Sequence, residues 1–170
     1  MADVAPFDPE RIFDTLAQHE VEFVLIGALA ARLQGFPRLT ADADVTPADS
    51  PANLQRLAAA LRAIDARVYT ESVPEGLSFD CSGPALARGE LWNLVTAAGR
   101  IDVIRHPAGV SGYEALRASA VRFEIHGRPL FAASLADILR SKEAADRPQD
   151  RQDAVIIREM LRADEAGNRR

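Results

Sequence analysis

The strongest structural signal in this chain is carried by the segment Arg38-Leu39-Thr40-Ala41-Asp42-Ala43-Asp44-Val45. If the segment is a strand, its side chains alternate between two faces, and Asp42 and Asp44 share one face. Arg38 and Thr40 lie on that face as well. Two carboxylates this close repel each other without a counter-charge, and Mg²⁺ suits them because it prefers hard oxygen ligands. Taken alone, an Asp-x-Asp pair fits a solvated sheet edge or a loop better than a metal site.

A third carboxylate, Asp102, interrupts the otherwise apolar segment Ile101-Asp102-Val103-Ile104. An isolated carboxylate in such a strand is costly to bury unless it is paired or bound to a metal ion. Asp102 by itself fits a solvent-facing position better than a metal site. Three aspartates that converge from two strands can hold two metal ions for in-line phosphoryl transfer, and the combination favours that interpretation.

Gly27 separates a dense apolar run, residues 21–26, from a run of small residues, 28–33. The pattern predicts a buried strand followed by a short helix. Backbone N–H groups at the start of a helix bind phosphate, and glycine lets a substrate approach the backbone closely. For a lone glycine a plain strand-to-helix turn is the better alternative, so Gly27 gains weight only together with the aspartates.

Lys142 is the only lysine in a chain whose lysines and arginines number 20. Its ammonium group is a compact point charge, whereas the guanidinium group of arginine is a wide planar fork. A tight phosphate pocket is one place where this difference matters. Chance is the alternative explanation, and the carboxylates upstream argue against it.

The composition predicts one globular domain that lies in the cytoplasm. The chain has 170 residues, a hydrophobic fraction of 48% and a net charge of −5. Cys81 is the single cysteine, which excludes an internal disulfide and a cysteine-based zinc site. Residues 1–6 show no signal-peptide pattern, and the apolar runs are too short to span a membrane. The net charge disfavours a non-specific nucleic-acid binder but leaves RNA contact through a local arginine cluster open.

The order of predicted elements indicates an α+β protein. Helices are predicted to begin near Pro9, Ala28, Pro51, Ser134 and Pro148, and strands to span 21–26, 40–45, 67–70, 77–80, 91–96, 101–105, 121–125 and 129–132. The last helix is predicted to end near Ala163, before a frayed tail. This order predicts a small mixed β-sheet with flanking helices, in residues 1–133, and a C-terminal helical unit, in residues 134–170, packed on it.

These features together resemble the nucleotidyltransferase superfamily with the DNA polymerase β-like fold. In that family a strand ends in Gly-Gly or Gly-Ser, a short helix follows, and a second strand carries Asp-x-Asp. The Arg-x-Thr-x-Asp-x-Asp pattern looks most like the bacterial branch that includes AbiEii-type toxins of toxin–antitoxin systems. The matching segments are 25–30, 35–44, 92–96, 99–102, 134–139 and 142–153.

The resemblance implies a role for each of the acidic residues singled out above. Asp42 and Asp44 would bind the ions of a two-Mg²⁺ site, and Asp102 would bridge a metal ion or activate the acceptor hydroxyl. Lys142 would neutralise phosphate charge, so these four residues are the implied catalytic set.

The resemblance also implies how the NTP is held. Gly27 and the amide of Ala28 would bind the triphosphate, and Asp150 or Asp153 would orient Lys142 or the acceptor. The residues placed at the nucleotide are Gly27, Ala28, Arg38, Thr40, Lys142, Asp150 and Asp153. Two positions depart from the family pattern, since Ala28 replaces the second Gly or Ser and Gln149 stands where lysine is common.

Three functions follow as hypotheses. The first is a Mg²⁺-dependent nucleotidyltransferase that moves a nucleoside monophosphate to a tRNA 3′ end, a protein side chain or a small molecule, as a toxin with a cognate antitoxin as partner. The second is a non-catalytic binding or antitoxin-like subunit of the same fold, which the departure at Ala28 favours and the complete set of aspartates disfavours. The third is a metal-dependent phosphohydrolase, which would turn over NTP without an acceptor.

Overall fold

The computed structural model describes residues 5–168, which fold into seven helices and one eight-stranded sheet. The helices are Pro9–Gln18 (α1), Gly27–Leu33 (α2), Pro51–Ala63 (α3), Gly83–Arg88 (α4), Tyr113–Ala118 (α5), Leu135–Ala145 (α6) and Pro148–Gly167 (α7). The strands are Phe23–Ile26 (β1), Asp42–Pro47 (β2), Arg67–Thr70 (β3), Val73–Leu77 (β4), Leu91–Thr96 (β5), Gly99–Ile104 (β6), Val121–Ile125 (β7) and Arg128–Ala132 (β8).

Three of the predicted helices, α1, α3 and α6, begin with the side-chain caps expected from the sequence. Asp8 accepts a hydrogen bond from the backbone N–H of Arg11 at 3.0 Å. The hydroxyl oxygens of Ser50 and Ser134 accept equivalent bonds at the starts of α3 and α6, each with a distance of 3.2 Å. Such bonds satisfy N–H groups that have no partner inside the helix.

The sheet is mixed, with strand order β4-β3-β5-β6-β2-β1-β8-β7. β2 pairs with β6 and β1 pairs with β8 in parallel, whereas the other neighbours are antiparallel. The predicted α+β class, a small mixed sheet with flanking helices and two C-terminal helices, is confirmed. The strand order brings β2 and β6 to the centre of the sheet.

Strand alternation separates the core from the acidic residues. Ala43 and Val45 of β2 are buried in the main hydrophobic core, whereas Asp42 and Asp44 are only partly buried. The core also takes in the apolar stripes of the helices, Ile12 and Leu16 on α1 and Leu57 and Leu61 on α3. The opposite face of the central strands is therefore left for the acidic side chains.

Several predicted boundaries are wrong. β2 begins at Asp42 rather than Thr40, because the hydroxyl of Thr40 bonds Asp42 and the segment before it leaves the ladder. β4 occupies Val73–Leu77 instead of 77–80, and α7 continues to Gly167, beyond the end predicted at Ala163. The helices α4 and α5 were not predicted, since six residues are too few to show a helical period.

None of the helices within residues 5–168 combines the length and the apolar composition of a membrane span.

Candidate active site

The three aspartates of the predicted constellation lie on one face of the sheet. Asp44 and Asp102 are directly paired in the parallel ladder between β2 and β6. Asp42 lies two residues before Asp44 and therefore points to the same face. All three line one cleft.

The cleft measures about 600 Å³, within the usual range for a small-molecule site. Its floor is the sheet around Asp44 and Asp102, and α6 and the start of α7 supply side chains opposite. Its polar and charged lining residues are Arg38, Thr40, Asp42, Asp44, Asn93, Asp102, Asp137, Ser141, Lys142, Arg147, Gln149 and Asp150. Gly27 and Ala28 line the cleft as well.

The negative charges of Asp44 and Asp102 are only partly balanced by positive charge nearby. Burial, with repulsion from Asp42 and Asp102, raises the pKa of Asp44 from 3.8 to about 7. Burial also raises the pKa of Asp102 to about 6, although Arg100 acts in the opposite direction. Oδ1 of Asp102 is buried and has no hydrogen-bond partner. Bound positive charge would relieve this arrangement.

Gly27 is required by the position of Asp44. Gly27 adopts φ +69°, and a Cβ atom added to it would lie 2.1 Å from Oδ2 of Asp44. No real side chain fits such a contact, so the carboxylate occupies the space that a larger residue would need. Gly27 also lines the cleft, and the close approach of a substrate to its backbone stays a prediction.

Lys142 is held between two buried aspartates of α7. Its Nζ donates to Oδ2 of Asp153 at 2.7 Å and to Oδ1 of Asp150 at 3.2 Å. The side chain is 11% exposed and lines the cleft. An ammonium group has three N–H donors, so one remains for a ligand. Both Asp150 and Asp153 therefore orient Lys142.

The aspartates that hold Lys142 are themselves stabilised as anions. Burial disfavours the charge of Asp153, but hydrogen bonds from Arg38, Lys142 and Gln149 outweigh it and lower its pKa. Burial likewise opposes the charge of Asp150, and bonds from Arg147 and Lys142 lower its pKa in spite of it. This network ties the segment before β2 to α6 and α7.

Three residues predicted to lie at the nucleotide also make contacts within the protein. Arg38 donates to both carboxylate oxygens of Asp153, at 3.0 and 2.7 Å. Asp153 is 1% exposed and is not among the residues that line the cleft, and it is connected to the cleft through its bond to Lys142. Thr40 donates to Oδ1 of Asp42 at 2.6 Å, which orients that carboxylate. Arg38 and Thr40 do line the cleft, and nucleotide contact by them stays a prediction.

Three solved structures share this architecture. The solution structure of the antibiotic-resistance factor ANT(2″)-Ia has a TM-score of 0.50 and 17% identity, covering 95% of this chain and 92% of that chain. The crystal structure of ANT(2″)-Ia in complex with adenylyl-2″-tobramycin has a TM-score of 0.56 and 18% identity, covering 92% and 89%. TM1012 of Thermotoga maritima, itself inferred to be a nucleotidyltransferase, has a TM-score of 0.51 and 16% identity, covering 94% and 97%. This chain has the nucleotidyltransferase fold.

No family model and no curated protein matches the sequence. The nucleotidyltransferase fold therefore rests on the structural matches, and the AbiEii-type branch stays a prediction from the motif.

The donor chemistry of the acidic residues fits Mg²⁺. The buried, unpartnered Oδ1 of Asp102 and the raised pKa values of Asp44 and Asp102 mark carboxylates that lack positive charge beside them. Among residues 5–168 no three His, Cys, Asp or Glu side chains are placed so that together they could hold one metal ion. Magnesium seldom uses such a set of protein ligands, because one or two carboxylates hold it together with water and substrate phosphates. One or two of these carboxylates therefore fit Mg²⁺, and the two-Mg²⁺ site stays a prediction.

Two cleft residues were missed by the sequence reasoning. Arg147 is 77% exposed, and its Nε donates to Oδ2 of Asp150 at 2.7 Å. Its charge opposes the rise in the pKa of Asp44 and of Asp102, and it lines the same cleft. Asn93 is exposed on β5 and pairs directly with Asp102. One arginine among many carries no sequence signal, but Asn93 follows from the alternation of β5 once its pairing with β6 is known.

Proposed function

We propose that this chain is a Mg²⁺-dependent nucleotidyltransferase that moves a nucleoside monophosphate from an NTP to a hydroxyl group. The observation that carries the proposal is the convergence of Asp42, Asp44 and Asp102 on the floor of a cleft that also contains Lys142 and Arg147. Phosphoryl transfer is catalysed largely by positioning and by stabilising negative charge, and this cleft offers both. The shared fold supports this chemistry over other uses of an acidic cleft.

Each charged residue has a distinct task in the proposed site. Asp42 and Asp44 would hold Mg²⁺, which when bound neutralises charge on the triphosphate and orients it. Lys142 offers its remaining N–H to a phosphate oxygen as a point charge. Arg147 has only Nε engaged by Asp150, so its terminal nitrogen atoms can donate to phosphate oxygens in a forked geometry.

The reaction requires one proton acceptor. The oxygen of the acceptor hydroxyl attacks the α-phosphorus, a new P–O bond forms, and the bond from that phosphorus to the β-bridging oxygen breaks in line. Pyrophosphate leaves with the electron pair, and the hydroxyl proton passes to the carboxylate of Asp102. A pKa of about 6 leaves Asp102 mostly ionised at neutral pH and close to the optimum for a general base.

The acceptor and the biological role come from the motif resemblance. A tRNA 3′ end and a protein side chain are the acceptors it implies, with a toxin role and a cognate antitoxin as partner. The complex of ANT(2″)-Ia with adenylyl-2″-tobramycin supports the general scheme, since in that protein the fold holds a nucleotide-modified acceptor.

The proposal is tested by titrating Mg-NTP into the protein in a calorimeter and by incubating it with α-labelled NTPs. Saturable binding that needs Mg²⁺, with label transferred to an acceptor and pyrophosphate released, is the expected result. Asp42→Asn is the matched control for the chemistry and should abolish transfer. Release of free nucleoside monophosphate in the absence of any acceptor would identify a phosphohydrolase instead.

A non-catalytic binding subunit is the second candidate, and Ala28 is the observation that favours it. Ala28 lines the cleft at the position where the family pattern has Gly or Ser, so it offers a methyl group in place of a hydroxyl or open space. Binding of Mg-NTP without transfer to any acceptor would favour this function. Ala28→Ser should then leave the protein inactive, whereas an active enzyme should keep or gain activity.

A further inference from the structure

We propose that the acceptor binds at the apolar end of the cleft, over Leu91, Asn93 and Ile104, and that its hydroxyl is carried by an apolar group without phosphates. This inference rests on the proposed nucleotidyl transfer and names the substrate class of the same site. It separates the acceptors that the motif resemblance leaves open.

The strand register gives the cleft two chemically different ends. In the ladder between β5 and β6, Leu91 pairs with Ile104, two residues beyond the pair of Asn93 and Asp102. Asp42 pairs with Arg100 and therefore lies on the other side of the Asp44–Asp102 row. Along the strands, the carboxylates thus stand between an end that begins before Asp42 and an end formed by Leu91 and Ile104.

The residues suited to phosphate belong to the end that begins before Asp42. β1 runs antiparallel to β2 with Ile26 opposite Asp44, so Gly27 continues toward the start of β2. Lys142 shares Asp153 with Arg38, which also precedes β2. This end is therefore the one that suits the triphosphate.

In-line displacement then determines where the acceptor approaches. The attacking and leaving oxygens lie on opposite sides of the phosphorus atom. If pyrophosphate leaves toward Lys142, the acceptor oxygen arrives from the side of Leu91 and Ile104. Asp102, the proposed proton acceptor, stands next to this end, and Asn93 lies beside it with an exposed amide that can bond a polar group of the acceptor.

The lining of this end is apolar. Leu91 is 53% exposed although it is a large apolar side chain. None of the described residues that line this end is lysine or arginine. They are Leu91, Asn93 and Ile104, followed by Pro107, Ala108 and Val110, where the chain continues beyond β6.

The rim beyond the apolar end is acidic on balance. Arg105 is only 12% exposed, and it is engaged by Asp49, Glu90 and the carbonyl groups of Ala87 and Gly89. Asp49 and Glu90 are themselves largely exposed. A polynucleotide gains most of its affinity from cations that neutralise its phosphates, and Arg105, the arginine described on this rim, is already paired. A hydroxyl on an apolar carbon skeleton, of a small molecule or of a protein side chain, matches the surface.

The test uses the full chain, Mg²⁺ and α-labelled NTP with three separate acceptor pools. These are total tRNA, a protein fraction freed of nucleic acid and small molecules, and a small-molecule extract freed of both. We expect label in the protein or the small-molecule pool, which distinguishes the two sources, and no label in tRNA. Transfer to tRNA as the main product overturns the inference and leaves the nucleotidyltransferase proposal intact.

The position of the acceptor is tested with Leu91→Asp against Leu77→Asp, an exposed leucine on β4 outside the cleft. Losing the apolar contact of Leu91 should lower transfer at subsaturating acceptor by about tenfold. Calorimetric affinity for Mg-NTP should stay within about twofold of the unaltered chain, because the phosphates bind at the other end. Equal transfer by the two variants overturns the inference alone. An unaltered chain that binds no Mg-NTP overturns both proposals.

Discussion

The position of Asp44 in the acidic cleft depends on glycine at position 27. Gly27→Ala introduces a Cβ at 2.1 Å from Oδ2 of Asp44, in a left-handed backbone conformation. The matched control is Gly127→Ala, where φ is +72° and no atom lies within 4 Å. Both should lose about 1 kcal/mol of unfolding free energy from the torsion. Only Gly27→Ala should also lose Mg-NTP binding, because Asp44 is displaced. Equal nucleotide affinity in the two variants, measured by calorimetry, would contradict this account.

The charge of Asp44 is unfavourable for the metal-free fold, because burial and neighbouring carboxylates oppose it. Asp44→Asn removes a buried charge that is repelled by Asp42 and Asp102. Above pH 7 the metal-free variant should be more stable by about 1–2 kcal/mol, a discounted value for a pKa shift of this size. Transfer should be abolished. Denaturant unfolding at pH 8 checks the first outcome, and lower stability of the variant would show that Asp44 is well compensated without metal.

Asp150 and Asp153 form a clamp around Lys142. Substitution of Lys142 tests whether a positive charge alone is sufficient for its role in transfer. Lys142→Arg keeps the positive charge but puts a wide planar fork where Asp150 and Asp153 hold a point donor. We expect the transfer rate at saturating NTP to fall by about tenfold, roughly the value of one charge-assisted hydrogen bond. Lys142→Ala should lower it further. An unchanged rate for Lys142→Arg would mean that the single lysine is an accident of composition.

At the scale of elements, α6 and α7 are joined by the two buried ion pairs of Lys142, with Asp150 and Asp153, and by one exposed ion pair. Asp153 of α7 is 1% exposed and bonds Lys142 of α6, whereas Glu143 and Arg158 form the exposed pair. Asp153→Asn leaves two cations short of a partner and should cost about 3 kcal/mol. Glu143→Gln is the matched control and should cost less than about 1 kcal/mol. Similar midpoints of denaturant unfolding for both variants would show that the buried ion pairs of Asp153 do not stabilise the packing of α6 on α7.

Helices and strands were predicted correctly where capping or turn residues indicate their ends. The helices that follow Asp8, Ser50 and Ser134 were predicted because the cap and the apolar period agree. α4 and α5 escaped, since neither spans two full turns. β4 was misplaced because it contains proline and glycine, which read as a turn rather than as a strand.

At the scale of the whole molecule, the unbalanced carboxylates couple stability to pH and to metal. The folded pKa values of Asp44, about 7, and Asp102, about 6, exceed the ordinary value of 3.8. Between these limits the folded state binds more protons than the unfolded state, so the metal-free protein should lose stability as pH rises through this window. Mg²⁺ binds the ionised carboxylates, so the stabilisation it gives should grow over the same window.

Denaturant unfolding at pH 5 and pH 8, with and without Mg²⁺, checks this coupling. Below the ordinary carboxylate value the trend reverses, because Asp150 and Asp153 have lowered pKa values and lose their charge there. Asp44→Asn should flatten the profile between pH 5 and pH 8. A Mg²⁺ effect that is the same at both pH values would contradict the coupling.

The candidate site was predictable as a set of residues but not as an arrangement. Strand alternation indicates Asp42 and Asp44, and the presence of only one lysine in the sequence indicates Lys142. The adjacency of Asp44 and Asp102 depends on a parallel pairing between strands far apart in the chain, which no local pattern encodes. The two-ended cleft depends on the same pairing, because Leu91 and Ile104 acquire their position only through it.

The clamp around Lys142 also makes the native chain a poor substrate for amine-directed chemistry. Acylating reagents and lysine-modifying enzymes need a free, accessible amine, and the one side-chain amine here is 11% exposed and engaged by two aspartates. Apart from the chain terminus, the folded protein should therefore resist such labelling until α6 and α7 separate. Acylation of this one position then reports helix separation directly, by mass, without any engineered probe.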